Sequence, residues 1–494
     1  MSLNEHLQHW ANKTPQATAI VYGEETISFA KLAECADHAA ALLTHKYSVR
    51  AGDRVTYLGL NHPNILALLL ACERIGAVFN PLNSRLAPAE YAYLIGNAEP
   101  SIFIVDQQFE QLAGELPEAR DIAVSLSRFF DDLPFRDAGK VSNDPETDLL
   151  LVYTSGTTGR PKGVVLSQRA VMANIDNCQH LYGFEPGQNV QITLPLFHVG
   201  GLCILLLPAL THGATIHLHQ RFDPLATLQD IEQNNITTSI YVPAQMAAMM
   251  DLPQWRTCDF SSMKYAVVGS SVIPLHQIQN FHVRGVPVSQ LYGATETGPA
   301  AIGLPIEAAQ AKEGSAGKVV KNCQIEIRDA DRNPLAIGDH GDVWVKGDNI
   351  LSRYWRNEEE TAKVLVDGWY NTEDIGYVDT EGFYWIVDRS KDVIISGGEN
   401  IYPAEIELAS LEHPAITAVA VVGQKHQRWG ETPVAVVELA DGTHIDLQDY
   451  QAFLSSRLAK FKHPKALLIV DQLPRNGMGK IEKSVLRQQV NQSQ

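Results

Sequence analysis

The chain has 494 residues, 45% of them hydrophobic, and a formal net charge of −18 at pH 7. That length exceeds one ordinary core and predicts roughly two to four domains. The acidity argues against a nucleic-acid or anionic-membrane surface, so any anionic ligand must be held by a local pocket.

The N-terminus, MSLNEHLQHWANKTPQA, carries acid, His and Gln where a signal peptide needs an apolar core. Strand-like runs then alternate with helical patterns: RVTYLGL (54–60), a helical NILALLLACERIGA (64–77), and SIFIVD (101–106). VGGLCILLLPAL (199–210) is the longest uncharged apolar run; it is too short to span a bilayer and reads as a buried element. Further strands are expected at ATIHLH (214–219), TTSIYV (237–242) and KYAVVGS (264–270). This alternation predicts an α/β architecture with largely parallel sheets. Around 323–387 closely spaced strands and turns predict an antiparallel β region. A short α+β pattern follows a boundary near 390, with a helix at AEIELASLEH, strands AVAVVG and TPVAVVEL, and a helix DLQDYQAFLSSRLAKF. The last residues, QQVNQSQ, are expected to fray. Six cysteines (Cys35, Cys72, Cys178, Cys203, Cys258, Cys323) show no C-x-x-C spacing, which predicts free thiols in a reducing, cytoplasmic setting.

YTSGTTGRPKG (153–163) is the first string that carries chemistry. It is not a P-loop: Lys162 follows Pro161 rather than Gly, no Ser/Thr follows it, and the next element is a short strand, VVL. Ser167 then caps a helix starting near Gln168, so the local reading is strand–loop–strand. The glycines permit close backbone approach, and the hydroxyls and Lys162 add donors suited to a polyphosphate. Composition alone leaves a solvated hairpin loop equally open.

The full string resembles the signature loop of the adenylate-forming superfamily, which contains acyl-CoA synthetases, firefly-type luciferases and the adenylation domains of peptide synthetases. Matching segments continue in order along nearly the whole chain: LPLFHVGG (194–201), SSMKYAVVGSS (261–271), LYGATETGPA (291–300), NTEDIG (371–376), DRSKD (388–392), ISGGENIYPAEIE (395–407) and PRNGMGKIEK (474–483). The resemblance implies an N-terminal AMP-binding domain over 1–389, made of two α/β subdomains plus a β-rich subdomain. A small mobile α+β domain follows over 390–494.

It also implies roles. Thr154, Ser155, Gly156, Thr157, Thr158, Gly159 and Lys162 would track the β- and γ-phosphates of ATP. Gly269, Ser270 and Ser271 would lie against adenine with Tyr292 and Gly293, although the usual G-G-x variant is altered here. Thr295 would stand near the α-phosphate and Glu296 on Mg²⁺. Asp374 and Arg389 would hold the ribose, Lys391 would be the hinge, and Gly397, Gly398 and Glu399 would line the channel for coenzyme A. Lys480 would be the adenylation lysine. By themselves His198 reads as a satisfied core histidine, Glu296 as a surface charge and Lys480 as a surface lysine.

The implied acid pocket is mostly small and apolar: His198, Val199, Gly200, Gly201, Tyr241, Ser271, Gly293, Gly298, Pro299 and Ala300. LPLFHVGG has no aspartate to hold an amine, which lowers an amino-acid substrate. The expected activity is an AMP-forming ligase that joins a fatty or aryl monocarboxylic acid to coenzyme A, with ATP and Mg²⁺. Two alternatives stand beside it. LPLFHVGGL, LHQRF (218–222) and EGSAGK (313–318) also resemble o-succinylbenzoate–CoA ligase of menaquinone synthesis, and an enzyme loading a carrier protein is the other. Arg221 would be the partner of a second carboxylate, but it reads better as a surface arginine at a strand end.

Overall fold

A computed structural model describes residues 1–131, 144–154, 161–269, 273–396, 399–427, 429–476 and 479–492. The chain forms two compact units, one of residues 1–325 with 344–370 and one of residues 326–343 with 371–494. The expected mixed α/β class is borne out.

Two sheets organise the larger unit. In one, six neighbouring strands run parallel, in the order Val288–Tyr292, Tyr265–Val268, Thr238–Tyr241, Asn189–Ile192, Thr215–Leu218 and Thr18–Tyr22. Their cores are Val/Ile-rich and buried, as strands covered on both faces require. In the other, Arg54–Leu58 lies between Val78–Leu82 and Ile102–Val105, parallel to both. That sheet continues through Asp148–Thr154 and Lys162–Ser167, which pair antiparallel, to Arg353–Tyr354.

The helix predicted over 64–77 is Pro63–Ile75, started by proline and ended by Gly76 at φ 72°. The apolar run at 199–210 is the expected buried element: three consecutive helical segments, Val199–Gly201, Leu202–Leu206 and Leu207–Thr211. No helix among the described residues is long and apolar enough to cross a membrane. All six cysteines are free.

Trp369–Val378, which enters the smaller unit at Asn371, pairs antiparallel with Tyr384–Arg389, the β pattern expected around 323–387. The long hairpin Ile416–His426 with Gly430–Leu439 is extended along the remaining edge of Gly430–Leu439, by Ile394–Ser396 at Gly430 and by Ala466–Ile469 over Val434–Val437. Two expectations are corrected. The helix read over 446–461 stops at Leu454, where the Ser455 hydroxyl donates to the Ala452 carbonyl at 2.6 Å and competes with the helical ladder. Residues 488–492, expected to fray, belong to the helix Lys483–Gln492. Leu486 and Val490 bury one face of it, and the Gln424 amide donates to the Val490 carbonyl at 2.7 Å.

Candidate active site

In the larger unit, three of the strings and Tyr241 lie at the carboxyl ends of parallel strands, where open α/β sheets bind ligands. Gly269 follows Tyr265–Val268, Gly293 follows Val288–Tyr292, the 194–201 segment follows Asn189–Ile192, and Tyr241 ends Thr238–Tyr241.

The phosphate-loop string is strand–loop–strand, as read from its residues. Thr154 and Lys162 face each other across the antiparallel pair, and the Thr154 hydroxyl donates to the Lys162 carbonyl at 3.5 Å. The Ser167 hydroxyl accepts from Ala170 N at 3.2 Å and caps Gln168–Tyr182. Ser155, Gly156, Thr157, Thr158, Gly159, Ser270, Ser271, Gly397 and Gly398 lie outside the described residues. The Lys162 ammonium donates to Glu360 and sits 5.3 Å from the centroid of the Tyr354 ring.

Thr295 and Glu296 form a tight turn, Thr295–Thr297, after Tyr292 and Gly293. Glu296 is buried; its carboxylate accepts from the Tyr354 hydroxyl at 2.9 Å, and its carbonyl accepts from Leu351 N at 2.7 Å. Thr295 and Tyr292 are half-buried. The turn folds so tightly that a Cβ on Gly293 would collide with the Pro299 carbonyl oxygen. Gly298 has φ 77° and packs against the backbone of Asn349. Asn349, fully buried, donates to the carbonyls of Thr297 and Ala300. Ala300 N donates to Asn174 Oδ1 at 2.9 Å, and Asn174 Nδ2 donates to the Cys203 carbonyl at 2.7 Å. Asn174 therefore ties Ala300, at the end of the Gly298–Pro299–Ala300 stretch, to Cys203, two residues beyond the segment from His198 to Gly201.

That segment is fixed at its other end by Asn61. Asn61 Nδ2 donates to the carbonyls of Leu194 and His219, each at 2.9 Å, and Oδ1 accepts from Leu196 N at 2.8 Å. His198 is half-buried, with its ring centroid 4.6 Å from that of Phe197, and its carbonyl starts the helical stretch by accepting from Gly201 and Leu202. Val199 and Gly201 are buried and Gly200 is half-buried. Tyr241 is fully buried, with its hydroxyl donating to Gln191 Oε1 at 3.1 Å and its ring packed near Phe281. Arg221 is exposed.

Sequence reasoning passed over Asn61, Asn174, Asn349, Tyr354 and Glu360. Tyr354 and Glu360 reach the phosphate strand only because Arg353 and Tyr354 pair with Val165 and Val164.

In the smaller unit the two expected ribose residues meet. Asp374 and Arg389 are cross-strand partners, with Arg389 Nε 3.0 Å from Asp374 Oδ1. Asp374 is buried while Arg389 is exposed. Lys391 lies in the turn Ser390–Asp392, which Asp392 ties to Arg487 at 2.7 Å. Glu399 is an exposed strand residue. Lys480 is exposed beside Gly479 (φ 80°), in a turn where Asn476 N donates to the Lys480 carbonyl at 2.9 Å.

The sequence profile of the AMP-binding enzyme family matches residues 7–355, and that of the AMP-binding enzyme C-terminal domain matches residues 405–480. The chain belongs to the AMP-binding enzyme family. Its similarity to individual members extends over full length. It is 41% identical to indoleacetate–CoA ligase of Aromatoleum aromaticum, covering 99% of this chain and 98% of that protein. It is 37% identical to feruloyl-CoA synthase of Amycolatopsis, covering 98% and 99%. The structure superposes on o-succinylbenzoate CoA synthetase from Bacillus subtilis, solved with its acyl-adenylate intermediate. That match has a TM-score of 0.88 and 31% identity, covering 98% of this chain and 97% of that one.

Proposed function

We propose that the protein is an AMP-forming acid–CoA ligase whose acid is an aryl monocarboxylate, activated as the acyl-adenylate and passed to coenzyme A. The observation that supports this is Asn174, which ties Ala300 of the Thr295–Ala300 stretch to Cys203, two residues beyond the expected acid-pocket segment. The aryl preference is supported by the kinship with ligases named for indoleacetate and ferulate. The o-succinylbenzoate reading is less supported. A second carboxylate calls for a cation, and Arg221, the candidate, is an exposed surface side chain. A fatty acid fits the same small apolar lining and stands as the second choice.

A carboxylate attacking the α-phosphorus of ATP meets another anion, so positive charge must stand where negative charge gathers. Lys162 supplies it on the pyrophosphate side and Lys480 at the transferring group. Glu296 suits Mg²⁺, which takes one or two carboxylates together with substrate phosphates. The Tyr354 hydroxyl orients that carboxylate. When bound, the metal would neutralise phosphate charge. Asp374 would accept from the ribose hydroxyls, with Arg389 holding the carboxylate in place. We assign 390–494 to a mobile domain turning about Lys391, which withdraws Lys480 and brings Glu399 and the channel for coenzyme A to the adenylate. We place the enzyme in the cytoplasm, which its dispersed free thiols suit.

The test is a panel of arylacetic, hydroxycinnamic, fatty and o-succinylbenzoic acids scored for CoA-dependent AMP formation. The proposal expects the aryl monocarboxylates to give the highest kcat/KM; preference for o-succinylbenzoate or a long-chain fatty acid would reassign the substrate.

A further inference from the structure

Lys162 is more enclosed than a solvated surface lysine. Only 11% of its side chain is exposed, and the Glu360 side chain that accepts from it is 19% exposed. An ammonium this buried needs a counter-anion, because desolvation without a partner is costly. Glu360 Oε2 serves Lys162, while its other oxygen, Oε1, accepts from Lys363 at 2.7 Å. The carboxylate is held below its ordinary range by its hydrogen bond to Lys162 first and to Lys363 second. The helix bearing it, Glu358–Val364, is capped by Asn357. That helix is also tied to Tyr354, whose N–H donates to the Thr361 hydroxyl at 3.0 Å. Tyr354 belongs to the strand paired with that of Lys162, so Glu360 is fixed relative to the lysine rather than tethered on a free loop.

We infer that Glu360 is a positioning residue, the resident counter-anion that holds Lys162 until a triphosphate takes it. Lys363 is the second cation that keeps Glu360 neutralised once Lys162 has moved to phosphate. The inference rests on the reading that Lys162 meets the triphosphate. On binding, ATP competes with Glu360 for one ammonium; on release, Glu360 competes with pyrophosphate and helps it depart.

Four variants of the full chain test this: Glu360→Gln, Lys363→Gln, Glu359→Gln and Lys162→Gln. Each is assayed for KM of ATP, acid and CoA, for inhibition by pyrophosphate, and for Tm. Glu359 is the control: its side chain is 82% exposed and it pairs with Lys363 at 2.8 Å. Its removal subtracts the same charge one residue away while leaving the Lys162–Glu360 pair intact. Glu360→Gln is expected to lower the KM of ATP and the inhibitory pyrophosphate concentration by about threefold to fivefold, the scale of a partly exposed ion pair. The KM values for acid and CoA stay unchanged. Lys363→Gln is expected to raise the KM of ATP, because Glu360 then binds Lys162 harder, and Glu359→Gln, which frees Lys363 for Glu360, to lower it by much less than Glu360→Gln does. A structural defect would raise the KM of ATP in Glu360→Gln, not lower it. A raised or unchanged value there, or an equal fall in Glu359→Gln, overturns the inference. If Lys162→Gln alters neither ATP nor pyrophosphate, the assignment of Lys162 to the triphosphate falls, and the inference with it. If Lys162→Gln weakens ATP while Glu360→Gln is silent, only the counter-anion role falls.

Discussion

Lys162 and Lys480 are both assigned to phosphoryl chemistry, yet they stand in opposite surroundings. Lys162 is largely buried and paired to Glu360, whereas Lys480 is exposed in a turn after Gly479. A fixed, paired lysine suits charge that is present throughout, and an exposed one suits a group that arrives for a single step. Lys480→Ala is therefore expected to slow adenylate formation by about a hundredfold or more, the scale of losing one charge-stabilising donor. Thioester formation from supplied acyl-adenylate stays largely intact; equal loss in both half-reactions would contradict the division. Tyr354 acts on a different atom, its hydroxyl donating to the buried Glu296 carboxylate. Tyr354→Phe is expected to cost about 1.5–3 kcal/mol, as for a hydrogen bond to a charged group, read by urea unfolding. The roles proposed for Lys162 and Glu296 come from the resemblance of their strings; the places of Tyr354 and Glu360 had no such source. A phenol and a carboxylate nearly two hundred residues downstream carry no local mark, and only the pairing of Tyr354 with Val164 brings them to the site.

At the scale of elements, the helix Gln168–Tyr182 does more than cover a sheet. Ser167 caps it directly after the strand Lys162–Ser167, and Asn174 projects from it to Ala300 N and the Cys203 carbonyl. Asn174→Ala leaves Ala300 N and the Cys203 carbonyl without that partner. Unfolding free energy is expected to fall by about 2–4 kcal/mol, since each orphaned buried group costs about 1–3 kcal/mol. The KM for acid should rise more than the KM for ATP; equal changes in both would assign Asn174 a purely structural part. The cap at Ser167 was legible because a hydroxyl before a helical pattern has a local reason to be there. Asn174 was not, because a polar residue inside a helix looks the same from sequence whether it faces water or two backbone groups. The fraying expected at 488–492 failed for a related reason. A polar stretch gave no sign that Val490, with Leu486 and the Gln424 amide, would seat the helix end.

At the scale of the whole molecule, two activities must share one adenylate, and the proposed answer is rotation about Lys391. Lys391→Pro fixes one backbone dihedral and is expected to spare ATP–pyrophosphate exchange while cutting thioester formation by about tenfold or more. Loss of exchange in that variant would count against the hinge. The α/β class and the order of the strings were readable from alternation and motif, since both are local and repeated. The identity of the acid was not, because the expected pocket residues are mostly small and apolar and exclude little. The two-step scheme is tested most directly by a single-turnover experiment in which enzyme, ATP, Mg²⁺ and an accepted acid are mixed without CoA, and CoA is added afterwards. The account predicts one equivalent of enzyme-bound acyl-adenylate with pyrophosphate before CoA, and its conversion to thioester and free AMP afterwards. Absence of adenylate before CoA, or ADP as the nucleotide product, would contradict it.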